Sequence, residues 1–251
     1  MTTSSPLIIH IEGNIGAGKT SLLNNLSRQC AANYNNDCIQ LPLQRNNEDF
    51  FFIKPEPIKE WTNFAGENLL ATFYTDPARW SFTFNVHVYN TLIARRENAF
   101  RYHQQPQTVI AANSNRRHHF IFERSIESTE NVFVPFAFQS NYITPSEFAI
   151  FNKFTSNCRY SSYTDNDHTI YLSVPPSLCY ERLTRRNAEE KLSPHCTVEW
   201  LAKLDKLHTE WFSKKAHVYY IDGVQTEANV LKQCMNCITE LTALHHKKRN
   251  Q

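Results

Sequence analysis

The sequence lacks an apolar run long enough to cross a bilayer, because no stretch approaches the roughly 18 residues that a spanning helix needs. Its start, MTTSSP, has no charged segment followed by an apolar one, so a secretory signal is not expected. An excess of one charge sign is also missing, since the formal net charge is +2 with 20% of residues charged. We therefore expect no membrane partner and no wholesale binding of nucleic acid.

The cysteines lack the arrangement of a disulfide framework. They are seven in number, which is odd, and they are scattered along the chain. Reduced thiols in a cytoplasmic protein are the expected result. Cys234 and Cys237 form a C-x-x-C pair in a helical-looking tail, but no second ligand pair follows at a usual spacing, so a zinc site is not expected.

Internal repeats and low-complexity linkers are absent as well, which favours one domain over residues 1–251. Apolar strand-like segments alternate with helix-like segments, a pattern typical of an α/β protein with a parallel sheet flanked by helices. The predicted strands, five in all, cover residues 7–11, 51–53, 119–122, 169–174 and 217–221. The main predicted helices begin at Lys19 and Pro77, cover residues 175–186 and 197–212, and form the tail from residue 227. A polar stretch, 101–119, is predicted to be a surface connection.

Glycine is scarce, with five in 251 residues, yet three of them fall within six positions. The segment GNIGAGKT satisfies G-x-x-x-x-G-K-[ST] and lies between a predicted strand and a predicted helix. Glycines there let backbone N–H groups surround phosphate oxygens, and the lysine reaches the β- and γ-phosphates. The motif predicts binding of a nucleoside triphosphate by Gly13, Asn14, Ile15, Gly16, Ala17, Gly18, Lys19, Thr20 and Ser21.

A guanine-nucleotide switch is disfavoured, because D-x-x-G is absent and NKFT at 152–155 lacks the acid of N-K-x-D. A phosphotransferase needs residues for the acceptor, and three segments offer them. Glu56 in KPEPIKEW could accept a hydroxyl proton; Glu123 and Arg124 in FIFERS could hold Mg²⁺ and phosphate. Each of these segments, taken alone, also fits a solvated acid or a surface ion pair.

The third segment is ERLTRRNAEEK, which contains Arg182, Arg185 and Arg186. These arginines could clamp triphosphate charge from a closing lid, which would also exclude water. A solvated helix end with charge pairs four residues apart is the alternative reading of the same letters.

Together these segments resemble the deoxynucleoside kinase family. The resemblance rests on IEGNIGAGKT, PEPIKEW, FYTDPARWSFTFN, FERSIEST and YLSVPPSLCYERL, in the family's order. It implies a P-loop kinase fold with a short arginine-rich lid at about 182–195, and a homodimer. It further implies that ATP phosphorylates the 5′-hydroxyl of a deoxynucleoside.

The resemblance also implies roles for individual residues. Glu56 is expected to be the general base, with Arg124 assisting at the 5′ end and Lys19 at the phosphates. Thr20 and Glu123 are expected to organise Mg²⁺, and Arg182 and Arg186 to be lid arginines, whereas Ala188 stands at a third arginine position. The expected nucleoside contacts are Glu56, Trp61, Tyr74, Phe84, Asn85, Val88, Leu92, Arg124, Thr129, Phe133 and the lid acid Glu190.

Base choice is predicted from three of these positions. Asn85 stands where the family has a base-reading glutamine. Family members that favour an amino-bearing ring carry an arginine and an aspartate where this chain has Leu92 and Thr129. The resemblance thus implies a pyrimidine substrate, most of all thymidine, with deoxycytidine as a second. A nucleoside monophosphate kinase and a non-catalytic nucleotide-binding subunit are the remaining alternatives.

Overall fold

The computed structural model describes residues 5–29, 38–40, 49–104, 117–158, 167–186 and 195–249. Strands form where β-branched and aromatic residues concentrate, as in IIHIEG and DFFFIK. The strands are β1 Ile8–Gly13, β2 Cys38–Gln40, β3 Asp49–Lys54, β4 Arg117–Glu123, β5 Asp167–Ser173 and β6 Val218–Asp222.

These strands form one sheet in the order β2–β3–β4–β1–β5–β6. Five of them run parallel, which confirms the expected parallel α/β sheet. Strand β2, which pairs antiparallel with β3 at one edge of the sheet, was not among the predicted strands. The predicted connection at 101–119 is shorter than expected, and its interior, 105–116, lies outside the described residues.

Helices connect the strands, and several begin with recognisable sequence signals. A threonine at position 144 caps α7 reciprocally with Glu147, and Pro145 occupies the first turn. The longer helices are α1 Lys19–Gln29, α4 Pro77–Gln104, α7 Pro145–Asn157, α8 Pro176–Arg186, α9 Val198–Phe212 and α10 Glu227–Arg249. The shorter ones are α2 Ile58–Thr62, α3 Leu69–Thr75, α5 Ile126–Ser128 and α6 Val134–Gln139, with a π-helical turn at Thr129–Phe133.

The sheet is covered on both faces, as a parallel sheet requires. On one face, Ile8 and Phe120 pack with Ala99 of α4, while the Tyr171 ring packs at a tilt against Phe212 of α9, with 4.8 Å between ring centroids. On the other face, the core includes α1 and α10 side chains, among them Leu26 and Ile238, which are fully buried. No helix among the described residues is both long enough and apolar enough to span a membrane.

A polar cluster lies at the amino ends of β3 and β4, away from the carboxyl edge of the sheet. Asp49 Oδ1 accepts hydrogen bonds from Arg117 Nε at 2.7 Å, His119 Nε2 at 2.9 Å and His246 Nε2 at 3.1 Å. Burial raises the pKa of Asp49, but the bonds from His119 and Arg117 outweigh it and hold the pKa well below its ordinary range. The cluster fixes the end of α10 to the sheet.

Three of these side chains, Asp49, His119 and His246, place potential metal-ligand atoms within 4.8 Å of one another. The backbone N–H of Leu7, however, donates to His119 Nδ1 at 3.1 Å. A neutral imidazole that accepts at Nδ1 carries its proton on Nε2, which therefore donates to Asp49 and has no lone pair for a metal. The cluster is thus a hydrogen-bonded structural network.

Candidate active site

The carboxyl ends of β3, β4 and β1 bring the expected reactive residues to one edge of the sheet. Because the three strands are parallel neighbours, the residues that follow them share a crevice. Gly13 ends β1, Glu123 ends β4, and Glu56 lies two residues after β3. The sheet order therefore places the phosphate loop beside the acceptor-side acids.

Two glycines of the phosphate loop have conformations that a side chain would disturb. Gly16 has φ +81°, and a Cβ there would lie 2.5 Å from the carbonyl oxygen of Cys179 in α8. Gly18 has φ +99°, in the left-handed region that glycine adopts readily. The Asn14 amide anchors the loop by donating to Leu201 O at 2.9 Å. The loop is therefore a tight backbone cradle, which suits phosphate oxygens.

Lys19 occupies the centre of this loop. Its Nζ is buried and donates to Gly13 O at 2.9 Å and Asn14 O at 3.0 Å. Burial, followed by the nearby Arg124 guanidinium, lowers the pKa of Lys19, and the carboxylates of Glu56 and Glu123 oppose that shift. An ammonium held in this position can pair with phosphate oxygens.

Thr20, Glu123 and Glu56 form a chain of polar groups beside the loop. The Thr20 hydroxyl donates to Glu123 Oε1 at 2.6 Å, and the Glu56 backbone N–H donates to Glu123 Oε2 at 3.3 Å. Hydroxyl and carboxylate oxygens are the ligand types that Mg²⁺ prefers. Thr20 and Glu123 are thus brought together as the expected metal pair.

Glu56 and Arg124 form the closest ion pair of the crevice, with Arg124 Nε 2.5 Å from Glu56 Oε1. Both side chains are largely buried, and Arg124 also lies over the Phe133 ring at 4.4 Å. Burial lowers the pKa of Arg124, but Glu56 and Glu12 outweigh it and raise the pKa. Arg124 has φ +64°, an uncommon conformation for a non-glycine residue that is typical of functional sites.

Glu12 is a buried acid of this site that the sequence analysis did not single out. It is fully buried at the end of β1, and its Oε1 accepts from the Ser125 backbone N–H at 2.7 Å. Burial raises its pKa, but Arg124 and His208 outweigh that and lower it, so the carboxylate stays ionised. An acid inside an otherwise apolar strand was the available signal. Glu12 fixes the turn that carries Arg124.

A cavity of about 1310 Å³ extends from the phosphate loop across these acids. Most of the expected nucleoside contacts line it: Glu56, Trp61, Tyr74, Phe84, Asn85, Val88, Arg124 and Phe133. Residues that the sequence analysis missed also line it, among them Phe73, Ser81, Phe136, Cys196 and Trp200. Burial raises the pKa of Tyr74, so its hydroxyl remains a hydrogen-bond donor at neutral pH.

Leu92 and Thr129 do not line the cavity, although they were expected to contact the substrate. Both are fully buried, and Leu92 packs in the apolar cluster that includes Phe84 and Val88. Leu92 lies on the face of α4 that packs into this cluster behind the cavity wall, and Thr129 is buried at the start of the π-helical turn. That Leu92 and Thr129 influence base choice stays a prediction. Such an influence would act through the shape of the cavity wall.

Asn85 is buried in the cavity wall, and its Nδ2 donates to Ser81 O of the preceding helical turn at 2.8 Å. Nearby, Trp61 Nε1 donates to the Thr91 hydroxyl at 2.9 Å, which fixes the indole against α4. Phe73 stacks on Phe84 with their ring centroids 4.9 Å apart. Here the wall offers flat apolar faces and the short amide of Asn85, a combination suited to a planar base.

Arg182 reaches the phosphate loop from α8. Its Nη1 donates to Ala17 O at 3.1 Å, and its Nη2 donates to Gly223 O at 2.8 Å. Arg186 ends α8, but its side chain, together with Ala188, Glu190 and most of the expected lid, lies outside the described residues. The roles of Arg186 and Glu190 stay predictions.

Arg182→Ala and Arg186→Ala are each expected to slow phosphoryl transfer, because both arginines would serve the same triphosphate charge. The double variant should lose less than the sum of the single losses in ΔΔG‡, since residues acting as a unit are non-additive. Steady-state kcat of the four proteins measures this, with Arg28→Ala, an exposed arginine at the end of α1, as the control. Unchanged rates in both single variants would instead support a solvated helix end.

Comparisons with known proteins place these features in context. A family model described as deoxynucleoside kinase matches residues 9–243. The probable deoxycytidine kinase of fowlpox virus is 27% identical over 246 residues, which cover 93% of this chain and 88% of that protein. Deoxycytidine kinase 2 of Gallus gallus is 29% identical over 226 residues, covering 82% and 74%. Mitochondrial thymidine kinase 2 of Homo sapiens is 28% identical over 208 residues, covering 82% of this chain but 64% of the relative.

Proposed function

The chain belongs to the deoxynucleoside kinase family, and from this premise we propose that it transfers the γ-phosphoryl group of ATP to the 5′-hydroxyl of a pyrimidine deoxynucleoside. The observation that carries the proposal is the Glu56–Arg124 pair, held beside the Lys19 loop on the acceptor side. A carboxylate there suits a neutral hydroxyl acceptor. A hydroxyl that has lost its proton to Glu56 can attack phosphorus directly.

In this proposal each charged group has a separate task. Glu56 orients the 5′-hydroxyl and accepts its proton, and the Arg124 guanidinium beside it stabilises negative charge on the transferring group. Lys19 contributes positive charge at the β- and γ-phosphate oxygens. Tyr74 binds the sugar, and the stacked rings of Phe73 and Phe84 bound the base.

Thr20 and Glu123 are the proposed Mg²⁺ ligands, and ATP with Mg²⁺ is the usual phosphate donor of the family. The fit rests on the donor set, since the hydroxyl and carboxylate oxygens already lie 2.6 Å apart at the mouth of the loop. Bound there, the ion would neutralise charge between the β- and γ-phosphates.

Thymidine is the proposed preferred substrate. Leu92 and Thr129 put no charge behind the cavity wall, so an amino-bearing ring gains no special attraction there. Asn85 is one methylene shorter than glutamine and is held to its own helix through Ser81 O. A base that shifts towards α4 to meet it brings a 5-methyl group near Val88. Relatives named for thymidine, deoxycytidine and deoxyguanosine leave this choice to experiment.

Thymidine is expected to be phosphorylated with a higher kcat/KM than deoxycytidine, and both far above purine deoxynucleosides. The margin between the pyrimidines should be modest, because one methyl group is worth only about 1–3 kcal/mol. Asn85→Gln is expected to raise use of both pyrimidines by extending the amide into the cavity. A kcat/KM measurement on all four deoxynucleosides tests this, with the exposed Asn90→Gln as the matched control on the same helix. Preference for deoxyadenosine or deoxyguanosine would refute the base assignment.

The same assay separates the alternatives when nucleoside monophosphates are included. A monophosphate kinase needs basic groups for the acceptor phosphate, whereas the acceptor side here presents Glu56. A non-catalytic subunit would show no turnover with any acceptor, although Lys19, Glu56 and Arg124 are all in place. We further propose a cytoplasmic homodimer: the family resemblance implies the dimer, and seven scattered cysteines suit a reducing compartment.

A further inference from the structure

Arg95 lies behind the proposed reactive residues and has no role assigned above. It projects from α4 towards the carboxyl ends of β3 and β4, where four backbone carbonyl oxygens converge on its guanidinium. No carboxylate among the described residues forms an ion pair with it. Arginine is suited to pairing with carboxylate or phosphate. It is therefore unusual that this half-buried guanidinium donates its hydrogen bonds to main-chain carbonyls at the ends of two strands.

The four acceptors fall on the two segments that carry Glu56 and Arg124. From the β3 side, Arg95 Nη1 donates to Pro55 O at 2.7 Å and to Lys54 O at 3.3 Å. From the β4 side, Nη1 donates to Glu123 O at 2.9 Å, and Nη2 donates to Arg124 O at 2.8 Å. The guanidinium therefore sets the spacing between the peptide before Glu56 and the peptide after Arg124.

The surroundings hold the guanidinium in one orientation. Its central carbon lies 5.2 Å from the centroid of the Phe122 ring. Its Nε is buried and has no hydrogen-bond partner among the described residues, so the fork is used entirely through its two terminal nitrogens. Burial lowers the pKa of Arg95 to about 10, which still leaves it charged at neutral pH.

We propose that Arg95 is a positioning residue for phosphoryl transfer, which fixes Glu56 and Arg124 at the distance that the reaction requires. The proposal rests on the proposed function. Arg95 touches neither substrate pocket nor phosphate loop; it acts through the backbone of the residues that do. The same helix carries Asn85 ten residues earlier, about 15 Å along the axis. α4 thus links the wall of the base pocket to the reactive acids as one rigid element.

Arg95→Ala is expected to lower kcat about a hundredfold, the typical cost of misplacing reactive groups by an ångström. The KM for ATP should change little, because the phosphate loop is untouched. Guanidinium ion at non-denaturing concentration should restore part of kcat by filling the vacated site, whereas sodium chloride at equal ionic strength should not. Arg101→Ala is the matched control, since Arg101 lies on the same helix with its side chain 72% exposed.

Hydrogen exchange measures the positioning without any turnover. The Glu56 N–H donates to Glu123 Oε2, and the Ser125 N–H donates to Glu12 Oε1. Exchange at these two amides should rise in Arg95→Ala while exchange in α10 stays unchanged. Absence of activity in the wild-type protein towards every nucleoside would refute the proposed function, whereas this local exchange response would still test Arg95.

Wild-type kcat in Arg95→Ala would overturn the proposal. So would a loss of kcat that guanidinium does not restore and that accompanies faster exchange throughout the chain, because that result indicates general destabilisation. If Arg95→Ala does not fold, Arg95→Lys serves instead: it keeps the charge, but one ammonium cannot span both strand ends. Its kcat should fall at least tenfold with an unchanged Tm, and wild-type kcat in this variant would equally overturn the proposal.

Discussion

Lys19→Ala is expected to lower kcat by about 10²–10³-fold, the loss typical of removing one preorganised charge donor from a developing anion. The Lys19 Nζ is already buried within the loop and donates to Gly13 O and Asn14 O. The side chain therefore loses little conformational entropy when ATP binds. The charge that it meets grows as the γ-phosphoryl group departs. The loss should therefore appear mainly in kcat, measured by steady-state transfer of labelled phosphate from ATP to thymidine.

Lys206→Ala is the control for this result, because Lys206 is 78% exposed on α9 and pairs weakly with Glu210. Thermal unfolding should be followed in both proteins, since Lys19 lies in the core of the loop. Near-normal turnover in a folded Lys19→Ala protein would show that the phosphate site has been placed wrongly.

Glu56→Gln is expected to lower kcat by roughly 10²–10⁴-fold, the usual contribution of a general base. The amide keeps the shape of the side chain but cannot accept the 5′-hydroxyl proton. Nucleoside affinity, measured through quenching of the cavity tryptophans, should change much less than turnover. A variant that loses affinity but keeps kcat would reassign Glu56 to sugar binding.

Glu56→Gln also removes the partner of a buried arginine, which can destabilise a protein by about 3–5 kcal/mol. Two further variants separate this effect from catalysis. Glu60→Gln changes an exposed acid nearby in α2 and should behave as wild type. Glu56→Asp keeps the charge on a shorter stem, so it should recover stability more than kcat.

The phosphate loop and the five parallel strands could be predicted because their signals are local. This glycine motif, between an apolar strand and a helix, is typical of a phosphate-binding loop. Alternation of strands with helices favours a parallel α/β sheet and so restricts the possible topologies. Residues placed directly after strands, such as Glu56 and Arg124, followed from the same rule. The family resemblance added roles that spacing alone could not supply.

The elements that the sequence did not predict depend on tertiary contacts. β2 has three residues and is defined by its pairing with β3. The helices between Ile126 and Gln139 are short and are interrupted by a π-helical turn, so their apolar residues show no clean helical period. The role of Arg95 could not be predicted, because its hydrogen-bond acceptors are backbone carbonyls of segments distant in sequence. The pattern of side chains along α4 does not indicate such contacts.

Leu92 and Thr129 illustrate a different limit. Matching a position to a family motif gives its place along the chain, whereas the direction of a side chain depends on how the helix is rotated. α4 turns Leu92 towards the apolar cluster and Asn85 towards the cavity, although both lie on one helix. Periodicity could distinguish an inner from an outer face, but not the core from a cavity wall that is equally apolar.

The hydrogen bonds to Asp49 have a consequence for folding during synthesis. Its partners Arg117 and His119 follow it by 68 and 70 residues, but His246 follows it by 197. When all six strands have been synthesised, the nascent chain still lacks His246, one of the partners of the buried Asp49 carboxylate. It also lacks the α10 side chains that cover one face of the sheet. Contacts of such long sequence separation are slow to form and leave apolar surface exposed meanwhile. Completion of this fold therefore waits for α10 to leave the ribosome, and a chaperone that shields the open sheet face should raise the yield of native protein.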